Sequence, residues 1–340
     1  MLKFKLLAVV GICYLIVSCN SVKIYNGLNV ALIAVPPSEN IAVAVKKLDT
    51  RGNTSVANDN EDLYKWSGNG IAACESWGYF TQEGLEIPYI KRDRDLGQTF
   101  EIIAGTDVLL KSITVMTGFG SNVVRPGTYG QPMALQIFEV SGNPVVNDNG
   151  SPANTEALHG FPHDRQNLHI EAERDDYWVG EKYKSVVLLT GANFPSPAEF
   201  RLNNTDSLIN PDHQQLKGRL LQFSLDGDFP VVLHKNRKYA FLIMLVNRAD
   251  NNGFTLANAY KGDYQGGHGI RRDGNGSFPP VKCDPAKDFH DKANLKAYKS
   301  AHFPASLEKR AKIQPGTNGY PDVDTWRDLV FYIETKNTQN

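Results

Sequence analysis

The residues best equipped for chemistry lie between Asn258 and Asn275, where tyrosines, polar side chains and glycines alternate. The glycines let backbone approach a ligand closely. Tyr260 and Tyr264 offer flat faces suited to the C–H side of a sugar ring. Gln265, His268, Arg271 and Arg272 can bond hydroxyls. By analogy with aromatic pairs, each ring contact is worth about 0.5–1.5 kcal/mol beyond the area it buries. That is weak alone and useful when repeated along a polymer. These six residues are the candidate carbohydrate-binding set. The same types could carry β-elimination on a uronic-acid polymer, with Arg271 or Arg272 neutralising the carboxylate and Tyr264 or His268 moving the C5 proton. The plainer reading is an ordered loop whose glycines only make turns.

Other constellations are poorer. Glu171, Glu173 and Asp175 would share one face of a strand, and a carboxylate pair about 5 Å apart could act as nucleophile and acid. Arg174 and Asp176 occupy the other face, so a solvated acidic strand is preferred. His159 and His163 have the i, i+4 spacing of zinc ligands, but Gly160 and Pro162 oppose the helix that this needs. Asn58-Asp59-Asn60-Glu61-Asp62 is rich in oxygen ligands, yet lacks the glycine and spacing of a calcium loop. Trp66, Trp77 and Trp178 could line a platform, although core packing is the commoner use. There is no phosphate loop, dinucleotide fingerprint, Gly-x-Ser-x-Gly elbow or Cys-x-x-Cys pair. No catalytic residue and no metal ligand is assigned.

The N-terminus carries a different signal. Lys3 and Lys5 precede an uncharged, mostly apolar run from Leu6 to Val17, too short to span a bilayer, which takes about 20 residues, and fitted to a secretory signal. Ile16-Val17-Ser18-Cys19 resembles the lipobox of bacterial lipoprotein signal peptides. The resemblance implies cleavage before Cys19 and acylation of that residue, with two or three chains giving a stable anchor. Asn20 is not the aspartate of inner-membrane retention, and no acidic stretch follows to signal export to the outer face. With Cys13 removed and Cys19 acylated, Cys74 and Cys283 remain as an even pair in an oxidising compartment. A bridge would close about 209 residues, worth at most about 5 kcal/mol. Two separate buried thiols are the alternative.

These groups have to be positioned by strands. The 340 residues are 41% hydrophobic, with 36 basic against 37 acidic side chains. That describes a folded chain without the positive field a nucleic-acid binder needs. Alternation predicts strands at Gln98–Ile103, Leu109–Met116 and Met133–Val140, with more at Val186–Leu189, Leu220–Leu225, Tyr239–Val246 and Leu329–Ile333. Tyr239–Val246 is apolar on both sides and should be central. Asp284-Pro285 opens an expected surface helix over 285–300. The expected fold is all-β, a β-sandwich of jelly-roll type with one short inserted helix. Residues 1–18 are read as signal, 19–62 as N-terminal segment and linker, and 63–340 as the sandwich, with insertions near 141–180 and 272–322.

Four phrases resemble the galactose-binding-like jelly rolls of bacterial carbohydrate-binding modules: Gly97-Gln98-Thr99-Phe100, Leu109 to Val115, Leu233 to Phe241, and Trp326-Arg327-Asp328-Leu329-Val330-Phe331. Asn236 stands where that pattern usually has glycine. Jelly rolls often hold a structural calcium, the one cofactor the resemblance suggests. The combined expectation is a protein lipid-anchored in the cell envelope, at the outer membrane, that binds polysaccharide or oligosaccharide as an accessory to its uptake or degradation. The alternatives are a polysaccharide-degrading enzyme (uronate lyase or glycoside hydrolase) and a structural or adhesion protein.

Overall fold

In the computed structural model the described residues are 22–60, 93–143, 181–203, 210–225, 229–259, 264–273, 303–315 and 328–338. They form β1 (Ile24–Asn26), β2 (Leu28–Ile33), β3 (Ile41–Val45), β4 (Asp49–Ala57), β5 (Arg94–Ile102), β6 (Val108–Met116), β7 (Pro132–Ser141) and β8 (Lys182–Asn193). The chain continues with β9 (Leu220–Leu225), β10 (Val232–Leu233), β11 (Arg237–Leu245), β12 (Gly253–Ala259) and β13 (Gly269–Asp273). It ends with the helix α1 (Leu307–Ala311), β14 (Asp328–Leu329) and β15 (Phe331–Asn337).

Two sheets pack face to face. The larger runs β1-β8-β7-β11-β5-β4-β12-β14, with β13 also on β5; the smaller runs β2-β9-β6-β15-β3, with β10 on β6. The molecule is therefore an all-β sandwich, as the alternating runs predict. β11 lies between β7 and β5, and its two faces serve two cores. Tyr239, Phe241, Ile243 and Leu245 point between the sheets, where Phe241 meets Phe100 and Phe331 at ring distances of 6.3 and 5.7 Å. Burying each such side chain contributes about 1.5–3 kcal/mol. Ala240, Leu242 and Met244 face outward into smaller apolar clusters.

Three local features refine the sequence reading. In β6 the alternation changes phase: Val108 and Leu110 join Ile113 and Val115 in the main core. The pairing with β15 skips Lys111, which is the extra residue of a bulge. Residues 49–57 form β4 between β5 and β12, although their polarity reads as linker. Together with β1, β2 and β3, this makes the N-terminal segment part of both sheets. Asn236 has φ 55° in the turn before β11. Its short polar side chain tolerates the left-handed region that glycine usually fills.

Gly97 sits where β5 presses on β11. A Cβ there would lie 1.5 Å from the Phe241 carbonyl oxygen. Gly97→Ala must push two central strands apart, at an expected cost of about 1–3 kcal/mol or more in urea denaturation. An unchanged midpoint would mean that the strands do not approach so closely.

Candidate functional site

The loop that enters β13 is held at both ends. The Thr99 N–H donates to the His268 carbonyl at 2.8 Å, and the His268 N–H donates to Thr99 Oγ1 at 2.7 Å. Upstream, the Tyr264 N–H donates to Asp328 Oδ2 at 2.9 Å. The Tyr264 hydroxyl accepts from the Glu101 N–H at 3.1 Å, and its ring meets Phe331 edge-on at 5.8 Å. Tyr264 is thus half-buried against the main core, while Gln265 beside it is exposed.

His268 is buried against Glu181, the residue that leads into β8. Its Nε2 lies 2.9 Å from Glu181 Oε2, and its Nδ1 lies 2.8 Å from the Gly269 carbonyl oxygen. Tyr183, two residues along the same face of β8, donates its hydroxyl to the same carboxylate oxygen. Lys238 Nζ stands 3.6 Å from Glu181 Oε1 and donates to Asn143 Oδ1 at 3.0 Å. Burial by itself would raise the Glu181 carboxyl. The bonds from His268 and Tyr183 and the charges of His268 and Lys238 outweigh it, and the carboxyl is held below the ordinary carboxylate range. Burial, and then the neighbouring Glu181 charge, push the Tyr183 phenol well above its usual range.

The two arginines of the candidate set lie elsewhere. β13 runs antiparallel to β5, with Arg271 opposite Leu96 and Arg272 opposite Asp95. Arg271 is 7% exposed. The Arg272 guanidinium is buried in the outer face of the large sheet. It donates to Asp95 Oδ2 at 2.8 Å, Gln136 Oε1 at 2.8 Å and the Ile313 carbonyl at 3.2 Å, and it also meets the Met244 sulfur. Arg310 of α1 reaches the same carboxylate with two nitrogens and donates to the Leu245 carbonyl at 2.7 Å. It also stacks on Phe303, 3.8 Å from the ring centre. A five-residue helix does not stand alone. Ser306 caps this one by accepting from the Lys309 N–H at 3.4 Å, and the buried Arg310 fastens it to the sheet.

Of the six candidates, the structure therefore places Tyr264, Gln265 and His268 on one loop, with Tyr264 turned to the main core and His268 to Glu181, buries Arg271 in β13 and turns Arg272 into a strut beneath α1. Tyr260 lies outside the described residues, as do Cys19, Cys74, Cys283, His159, His163, Glu171, Glu173, Asp175, Trp66, Trp77, Trp178 and the helix expected over 285–300. Sequence reasoning missed Glu181, Tyr183 and Lys238. The alternating Glu181-Lys182-Tyr183-Lys184 places an acid and a phenol on one face, but nothing local announces a histidine 87 residues away. In the oxygen-rich segment 58–62, Asp59 is met by donors: Arg125 at 3.0 Å and the Asn251 N–H at 3.0 Å. Among the described residues no three His, Cys, Asp or Glu side chains converge as metal ligands, and no helix is long and apolar enough to cross a membrane.

Both ring nitrogens of His268 face oxygen acceptors, so neither is turned to a substrate. The pair it forms with Glu181 does positional work, tying the 264–268 loop to β8. At the rim, Gln265, Glu101 and the one-fifth-exposed Lys238 remain open to solvent. No family model matches the chain, and no curated protein or solved structure matches it either.

Proposed function

We propose that this chain is a lipid-anchored protein of the cell envelope, at the outer membrane, whose sandwich binds carbohydrate without transforming it, as an accessory to polysaccharide uptake or degradation. The observation that carries the reading is the way the 264–268 loop is held. Glu181, Thr99 and Asp328 fix its backbone and its histidine, so Gln265 and its rim neighbours are presented already ordered. Preorganised polar groups lose less entropy on binding, which suits weak contacts repeated along a polymer. The occupied imidazole favours binding over proton transfer, since a general base must keep one nitrogen within reach of the proton it takes. The anchor rests on Ile16-Val17-Ser18-Cys19.

The test is incubation of the full chain with neutral and uronic-acid polysaccharides. Retention on at least one of them, with no new reducing ends and no ultraviolet absorbance of an unsaturated uronate, is the expected result. Unsaturated product would replace the binder with a lyase, new reducing ends alone would replace it with a hydrolase, and no retention on any glycan would leave a structural or adhesion role.

A further inference from the structure

The body is docked to its own N-terminus almost at once. Val22 packs against the cluster of Ala134, Leu188, Met244 and Ala311, and the Lys23 carbonyl accepts from the Leu188 N–H at 2.8 Å. Only Asn20 and Ser21 separate Val22 from Cys19. At 3.3–3.6 Å per residue, Val22 lies at most about 11 Å from an acylated Cys19. The polar layer of one leaflet is itself about 5–8 Å deep. A tether this short cannot let the body tumble freely above the bilayer, so the face around Val22 is the one it must present.

That face is composed accordingly. Around Val22 lie exposed Lys23 and Ile24, the latter 53% exposed although large and apolar. α1 joins the same cluster through Leu307 and Ala311 and exposes Lys309, and Lys312, which follows the helix, is exposed as well. Glu308 is the acid among them, paired with Lys312 at 3.1 Å. Three lysines against one glutamate, beside an exposed isoleucine, complement a negatively charged surface with an apolar interior. The Asp95–Arg310 clamp keeps α1 rigid on the sheet.

We infer that the outer face of the large sheet around Val22 and α1 rests on an anionic bilayer, with Lys23, Ile24, Lys309 and Lys312 at the contact. This rests on the acylation of Cys19 in the reading above. It also sets the orientation of the molecule. Ile103, 82% exposed just beyond the end of β5, is eight residues from Asp95 and so about 26 Å along the sheet from the clamp.

The test uses the full acylated chain in vesicles of phosphatidylglycerol and phosphatidylcholine, with a photoreactive benzophenone amino acid placed at Ile24, Lys309 or Ile103. Lipid adducts at Ile24 and Lys309, and few at Ile103, are expected. In a Lys23→Glu, Lys309→Glu, Lys312→Glu variant with unchanged circular dichroism, the adducts at Ile24 should fall by at least about fivefold, since each lysine near an anionic surface weighs about that much. Equal labelling at Ile103 would overturn the inference, and so would adducts to a second protein chain at Ile24 and Lys309. Intact mass separates the two layers of the argument. An acylated protein without lipid adducts overturns the contact face alone, whereas an unacylated Cys19 overturns both the face and the anchor.

Discussion

Asp95→Ala is expected to cost about 3–5 kcal/mol in urea denaturation, the range for removing one partner of a buried ion pair. Asp95 is the one acidic partner the described residues show for both Arg272 and Arg310, and all three side chains are at most 1% exposed. Its loss leaves two guanidinium groups away from water, with carbonyls, one amide and a sulfur as their remaining acceptors. α1 should come loose first, because Arg310 is what fastens it. Replacing Asp95, Arg272 and Arg310 together by apolar residues of similar volume should recover much of the stability, since the pair's desolvation cost disappears with it. A single-variant loss below about 1 kcal/mol would show that the three charges reach solvent.

Glu181→Gln is expected to cost about 1.5–3 kcal/mol at neutral pH, the worth of hydrogen bonds to a charged group, and much less in acid. The Glu181 carboxyl is held down in the folded state, whereas in the unfolded chain it titrates at the ordinary glutamate value. Its contribution is therefore fully present above that value and drains away as pH falls through the lower, folded one. Melting curves of the two proteins should lie apart at neutral pH and converge on acidification. Curves that stay parallel down to acid would show that the carboxylate does not stabilise the fold through its charge. Faster protease cleavage within 264–268 should accompany the substitution, because Glu181 is what ties that loop to β8.

The two clusters also show what could be read in advance. Strands were legible wherever apolar residues alternated without interruption. The unbroken run from Tyr239 marks β11, and the alternation from Met133 marks β7, because a half-buried or fully buried strand needs those patterns whatever its neighbours are. β4 was not legible, since its polar residues read as linker and its place depends on β5 and β12 lying on either side. The phase change in β6 was hidden for a similar reason: the bulge at Lys111 is a property of pairing with β15, over 200 residues later. In the loop, residue types were informative and partners were not. Tyr264 and His268 stood out, but Glu181 and Lys238 come from distant strands. Arg272 looked like a ligand-binding group because nothing nearby in sequence reveals that Asp95 lies directly across the sheet. The lipobox phrase needs no tertiary partner, which is why the anchor could be argued from four consecutive residues.

The most direct test of the central claim is affinity electrophoresis of the full chain through gels holding each polysaccharide, beside Gln265→Ala and Tyr264→Phe. The first substitution removes an exposed amide; the second keeps the ring on Phe331 and removes only the hydroxyl bonded to Glu101. Retardation of the native chain by at least one polysaccharide, weakened about fivefold in Gln265→Ala as the loss of one hydrogen bond requires, is the result the account predicts. Retardation that both variants keep in full would place the glycan elsewhere on the sandwich, and a native chain that no polysaccharide slows would contradict the claim outright.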